Sequence, residues 1–148
     1  MIVLKSTQEK VLGALQSVAG IVERRHTLPI LANVLIRKIA DKIQLTTSDL
    51  EIQIRTNAEF DGDSGDFTTT VGARKLIDIL RTMPADQMVS IESSASKLIL
   101  KGGKSKFTLQ TLPAEDFPLV QESSNLGPAF SVPQKVLREL LNQVAFAM

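Results

Sequence analysis

Apolar and polar residues alternate from Leu50 to Arg55, with Leu50, Ile52 and Ile54 set against Glu51, Gln53 and Arg55. That period of two marks a half-buried strand, which the pattern extends to Phe60. Two strand-like runs precede it, Ile30 to Ile39 and Lys42 to Ser48, and a short one, Met1 to Lys5, opens the chain. After the opening run the spacing becomes helical, placing Val11, Leu12, Leu15, Val18 and Ala19 on one stripe. Ser6 and Glu9 are spaced as a capping box ahead of this helix, and Gly20 stands where a terminating glycine is expected. Past a turn at Asp61 to Gly65 the patterns start over. Phe67 to Val71 reads as a strand, and Ala73 to Leu80 as a short helix with Leu76, Ile77 and Leu80 inward. Met88 to Ser93, Lys97 to Lys101 and Lys104 to Thr111 read as three more strands, the last two joined by a tight hairpin at Gly102-Gly103.

Strand, helix and three strands are thus stated twice, over about residues 1–60 and 66–111. A shift of 55 places Lys42-Ile43-Gln44-Leu45 on Lys97-Leu98-Ile99-Leu100, and Ile52, Ile54 and Thr56 on Phe107, Leu109 and Thr111. Array repeats are shorter and more numerous, so two copies at this spacing point to one duplicated domain. Leu112 to Gly127 carries two prolines, three acids and Ser123-Ser124-Asn125, the chemistry of a linker. A third copy then begins: Phe130-Ser131-Val132 reads as a strand, and Lys135-Val136-Leu137-x-x-Leu140 repeats Lys10-Val11-Leu12-x-x-Leu15. The helix from Pro133 to Phe146 has no following sequence to cover its apolar side, so the chain is expected to be truncated.

Composition narrows the class. With 43% hydrophobic and 22% charged residues, the 148-residue chain can bury a core and is not disordered throughout. It holds no apolar run near the roughly 20 residues needed to cross a bilayer, and its first residues lack the apolar h-region of a secretory signal. The absence of cysteine removes disulfides, thiolate metal sites and thiol nucleophiles, and fits a cytoplasmic location. His26 is the only histidine and has no partner at metal or triad spacing, so a loop role is expected for it. Asp61 to Asp66 misses a calcium loop at position five, Gly65, and at position twelve, Gly72. No catalytic residue, metal or cofactor is expected.

Two local signals remain. On the second helix Arg74, Asp78 and Arg81 share a face, with Lys75 beside them, and Arg24 and Arg25 follow the first helix. If both helices pack on the same side of the sheet, these cations could share one surface and meet phosphates without reading bases; an ordinary charged helix face is the other reading. In the run Lys104 to Thr111, one face carries Ser105, Phe107, Leu109 and Thr111, the other Lys104, Lys106, Thr108 and Gln110. As the last strand of its unit it can be a sheet edge open to a partner strand, or an interior strand with a solvated face.

Arg25-His26-Thr27-Leu28-Pro29-Ile30-Leu31-Ala32-Asn33-Val34-Leu35, Ser48-Asp49-Leu50-Glu51, Ala73-Arg74-Lys75 and Thr111-Leu112-Pro113-Ala114-Glu115-Asp116-Phe117-Pro118 resemble the bacterial DNA polymerase III beta subunit family of sliding clamps. The resemblance implies an α+β DNA-clamp fold, with two helices on one side of antiparallel sheets. Residues 1–126 match the family's first domain, and residues 127–148 the opening strand and helix of its second. It further implies a processivity factor: two subunits form a ring around duplex DNA and tether a polymerase, without catalysis of their own. By position Arg24, Arg25, Arg74 and Arg81 become DNA-contacting residues. Lys75, Lys97, Lys104, Lys106, Phe107 and Leu109 become the joint with a second copy, with Phe107 and Leu109 in an apolar patch. Gly13 departs from the pattern, since relatives can carry a lysine there. The pocket that holds the clamp loader and polymerase would lie beyond residue 148, and the ring's exterior is expected to be acidic. A protein-interaction domain that uses the edge strand and never touches DNA is the alternative.

Overall fold

The order strand, helix, three strands does occur twice. The computed structural model describes residues 1–22, 28–120 and 124–148. In the first unit β1 (Ile2–Thr7) leads into α1 (Gln8–Val18), followed by β2 (Asn33–Ile39), β3 (Lys42–Ser48) and β4 (Gln53–Glu59). In the second, β5 (Phe67–Gly72) leads into α2 (Ala73–Arg81), followed by β6 (Met88–Ser94), β7 (Lys97–Gly102) and β8 (Ser105–Leu112). A further helix, α3 (Gln134–Val144), comes near the end.

The strands form one antiparallel sheet in the order β1-β6-β7-β8-β5-β2-β3-β4. Each unit therefore gives its first strand to the other unit's three: β1 lies beside β6, and β5 beside β2. The halves meet at β5 and β8 through two register pairs, Thr70 with Leu112 and Val71 with Thr111. On the other side Lys5 donates its amide to the Asp61 carbonyl at 2.6 Å, tying β1 to the end of β4. Both helices pack on the apolar side of the sheet and against each other. Val11 and Leu15 from α1 and Leu76 and Leu80 from α2 meet Leu4, Ile43, Ile91, Leu98 and Leu100 from the strands, all at most 2% exposed. Removing that much apolar surface from water is the main source of the fold's stability.

Local expectations fail where tertiary contacts supply what the sequence motif would have supplied. The Ser6 and Glu9 capping box does not form: Ser6 still pairs with Val89 in β1, and Thr7 is the N-cap. The first amides of α1 instead bond to the Gln87 carbonyl at 2.8 Å and the Ala85 carbonyl at 3.1 Å. Gly20 lies inside a 3-10 turn, Ala19–Ile21, and is not among the positive-φ residues. β2 starts only at Asn33, because Pro29–Ala32 forms a 3-10 turn with proline at its start. β4 starts at Gln53, because the Asp49 carboxylate accepts the amides of Glu51 at 3.0 Å and Ile52 at 2.6 Å, holding Leu50 at φ 80°. Leu50 and Ile52 are consequently about half exposed, and only Ile54 of that alternation packs on the core.

The stretch after β8 is more than a linker. Ala114–Asp116 makes a 3-10 turn, and Phe117 packs with Ile30 and Leu35 in a small second cluster. The two Thr-Leu-Pro blocks thus lead into turns whose apolar residues meet. Residues 130–132 form no strand, and Phe130 is 89% exposed. α3 forms as expected, but none of its residues is buried.

Among the described residues Lys38 is the largest fully buried side chain, at 1% exposure. The register of β1 against β6 slips between Ile2 and Leu4, and Lys38 Nζ donates to the Val3 carbonyl there at 2.9 Å. Gly62 makes room: a Cβ on it would lie 2.8 Å from that carbonyl oxygen and 2.9 Å from Lys38 Nζ.

Candidate nucleic-acid interface

The exposed side of α2 carries Arg74, Lys75, Asp78 and Arg81, because Leu76, Ile77 and Leu80 anchor the opposite side. Arg74 Nη2 donates to the Val22 carbonyl at 2.6 Å, so the end of the α1 segment is held against α2. Arg81 and Asp78 approach to 3.9 Å with both side chains largely exposed, a pair that water and salt reduce to a few tenths of a kcal/mol. Gln16, Gly20, Arg74, Ile77, Asp78 and Arg81 line a shallow hollow of about 340 Å3 between the helices. Arg24, Arg25 and His26 lie outside the described residues, in the connector that follows Val22.

The exposed side of α1 is nearly uncharged. Glu9 and Lys10 stand together in its first turn, then Gly13, Gln16 and Ser17 follow, with Gly20 just past its end. A Cβ added at Gly13 or Gly20 would meet nothing within 4 Å, so the surface has room for side chains the sequence does not provide.

At the second candidate surface, β8 pairs with β7 along its length but with β5 only at Thr111 and Leu112. From Ser105 to Gln110 its other edge has no neighbouring strand among the described residues. Gly103, at φ 57°, leads the two-residue hairpin connection, and Lys104 is at its tip. Where β5 and β8 part, Lys75, Asn33, Gly72, Thr108 and Gln110 help line a hollow of about 350 Å3. Lys75 is thereby brought to the open edge, whereas Lys97 sits one strand inward on β7, opposite Gln110. Lys106 is exposed. The expected apolar patch is not presented outward: Leu109 is 7% exposed within the chain's own core, and Phe107 is half-buried against it.

The acids of the Asp61 to Asp66 turn serve the fold. Asp63 Oδ2 accepts the Ile2 amide at 2.7 Å, and Asp66 Oδ1 the Ala40 amide at 3.4 Å. Among the described residues no group of three or more His, Cys, Asp or Glu could hold a metal, and no helix is long and apolar enough to cross a membrane. The strands expose Lys5, Arg37, Lys42, Arg55, Lys97 and Lys106, and Glu59 and Glu92 are the acids among the described strand residues.

Charge and open backbone are what these surfaces offer a partner, and the doubled helix-on-sheet frame behind them is that of the DNA-clamp fold. The chain belongs to the DNA polymerase III beta subunit family, whose N-terminal domain it matches over residues 3–121. A beta sliding clamp from Pseudomonas aeruginosa is 43% identical over 144 residues, covering 95% of this chain and 38% of that protein. One from Vibrio harveyi is 33% identical over 133 residues, covering 90% of this chain and 91% of that sequence. The crystal structure of the Pseudomonas aeruginosa DNA polymerase III beta subunit superposes with a TM-score of 0.90 at 42% identity, covering 98% of this chain and 39% of that one. The Caulobacter crescentus protein gives 0.88 at 32% identity, covering 97% and 38%. The chain therefore spans somewhat over a third of the length of the Pseudomonas and Caulobacter proteins.

Proposed function

We propose that this chain is the first domain, residues 1–126, and the opening of the second, residues 127–148, of a ring-forming sliding clamp in replicative DNA synthesis. The observation that carries the proposal is the side-by-side placement of α1 and α2, with Arg74 and Arg81 exposed on the same side of the sheet. In the ring this side faces duplex DNA. Arg74 and Arg81, joined by Arg24 and Arg25 from the connector, attract phosphates without base contacts, so the bound ring slides. The open edge of β8 receives a strand from a second copy, with Lys75, Lys104 and Lys106 beside that joint and Lys97 one strand behind. Phe107 and Leu109 support the edge from the core side. The clamp loader and polymerase bind through a pocket outside residues 1–148. The protein works in the cytoplasm and catalyses nothing itself; retention on DNA is topological.

The test uses the full-length subunit, loaded by a compatible clamp loader and ATP onto nicked circular plasmid. Half of the sample is linearised, and both halves pass through a gel-filtration column. Retention on circles with loss from linear DNA is the expected result. Equal retention on both would replace the ring with ordinary surface binding.

A further inference from the structure

The outward side of the β1-β6-β7-β8 half carries a row of polar and cationic side chains of which the ring uses only Lys106, at the end beside the joint. Lys5 is in register with Ser90, Ser90 with Lys101, and Lys101 with Lys106. Their inward neighbours Leu4, Val89, Ile91 and Leu100 are buried, so these four side chains make one row across four strands on the solvent side. Adjacent strands are about 5 Å apart, which sets Lys5 and Lys101 about 10 Å apart at the backbone and Lys106 about 5 Å further on. Two lysines directly opposed across a strand pair, as Lys101 and Lys106 are, destabilise a sheet unless an anion sits between them. Glu92 is the only acid on these four strands, and it holds Lys101 through both oxygens at 2.7 and 2.8 Å. Among the described residues Lys5 and Lys106 form no ion pair within 4.0 Å, and Lys5 also borders a hollow that Asp41, Glu59 and Asp61 help to line. Beside the row, Lys5, Met88, Ser90, Lys101 and the bare Gly102-Gly103 backbone line a hollow of about 180 Å3.

We propose that this sheet side is a second nucleic-acid contact surface, separate from the helix side, on which a phosphodiester backbone lies across Lys5, Ser90, Lys101 and Lys106. The direction of the row favours a nucleic acid over a peptide. A peptide captured by the β8 edge runs along the strands and uses their backbone groups, whereas this row runs across the strands and offers only side-chain heads. Ammonium groups are mobile point charges that take phosphates in many geometries, and the Ser90 hydroxyl adds a donor between them. Phe107 is turned toward the core and the chain has no Trp or Tyr, so bases do not stack here and binding is independent of sequence.

The test is a salt titration of fluorescence anisotropy with a labelled oligothymidine and a labelled duplex, using the chain and three variants. All the altered residues are on the surface, and amide-spectrum dispersion verifies that each variant is folded. For oligothymidine, Lys5→Ala with Lys106→Ala is expected to flatten the slope of log affinity against log salt by about 1.4, at roughly 0.7 per phosphate contact. Glu92→Gln, which frees Lys101, is expected to steepen it by about 0.7. Arg74→Ala with Arg81→Ala is expected to leave binding that still responds to both changes. An unchanged slope in the lysine variant, or loss of all binding in the arginine variant, would overturn the second surface. A glutamate peptide of equal charge binding as tightly as oligothymidine would overturn the nucleic acid as its occupant.

Discussion

At the residue scale, single side chains carry roles that sequence patterns report unequally. Leu76, Ile77 and Leu80 are legible because helical spacing alone puts them inward. Lys38 is not, since its burial depends on a slipped register at Val3 and on a glycine 24 positions away, neither of which periodicity encodes. Lys38→Met retains most of the volume but leaves the Val3 carbonyl buried without its donor. Urea unfolding should show a loss of about 1–3 kcal/mol, and an unchanged midpoint would mean that water replaces the ammonium. Gly13 gives the opposite sign. It occupies an exposed helix position with open space around it, so Gly13→Lys should add about 0.5–1 kcal/mol to stability by the same measurement. The same change places a cation between Lys10 and the Arg74 hollow, and duplex affinity at low salt should rise and fall off more steeply with added salt.

At the element scale, the eight strands and three α-helices of the described residues are visible in the patterning, because periods of two and 3.6 follow directly from backbone geometry. Their ends are less legible. Asp49 ends the Leu50 alternation by capturing two amides, and Pro29 turns the head of a strand-like run into a 3-10 turn. The candidate site divides along the same line: the α2 cations follow from spacing, whereas the degree to which β8 is an edge depends on where β5 leaves it. This placement alters the choice of mutations at the joint. Leu109→Ala should cost the domain itself about 2–5 kcal/mol, so a monomeric product would report unfolding as much as interface loss. Lys104→Glu with Lys106→Glu leaves the core intact. In the full-length protein this reversal should shift light-scattering mass from dimer toward monomer with Tm unchanged, and an undiminished dimer would mean that these lysines do not face the second copy.

At the scale of the whole molecule, the duplication is legible in the 55-residue shift, but the exchange of first strands is not. Periodicity says which side of a strand is buried and is silent about which neighbour it pairs with. α3 stands apart from this sheet, with Val136, Leu137, Leu140, Leu141 and Val144 each 43–57% exposed. Deleting residues 127–148 should leave the thermal midpoint of the sheet unchanged while lowering the fluorescence of a bound hydrophobic dye; a fall in Tm would place α3 against the core. The exchanged strands have a consequence of another kind. A single unit of some 60 residues, alone, would have its β1 beside no strand and its remaining three strands short of a fourth, and it would complete itself only by trading strands with a twin. The topology is that of a swapped pair of identical short chains whose ends have been joined through the Asp61 to Asp66 turn. Joining them turns a meeting governed by concentration into one governed by a short tether. It also frees each half to diverge: β8 meets β5 through two register pairs, whereas its counterpart β4 ends the sheet and reaches β1 only through the single bridge between Lys5 and Asp61 just past its end.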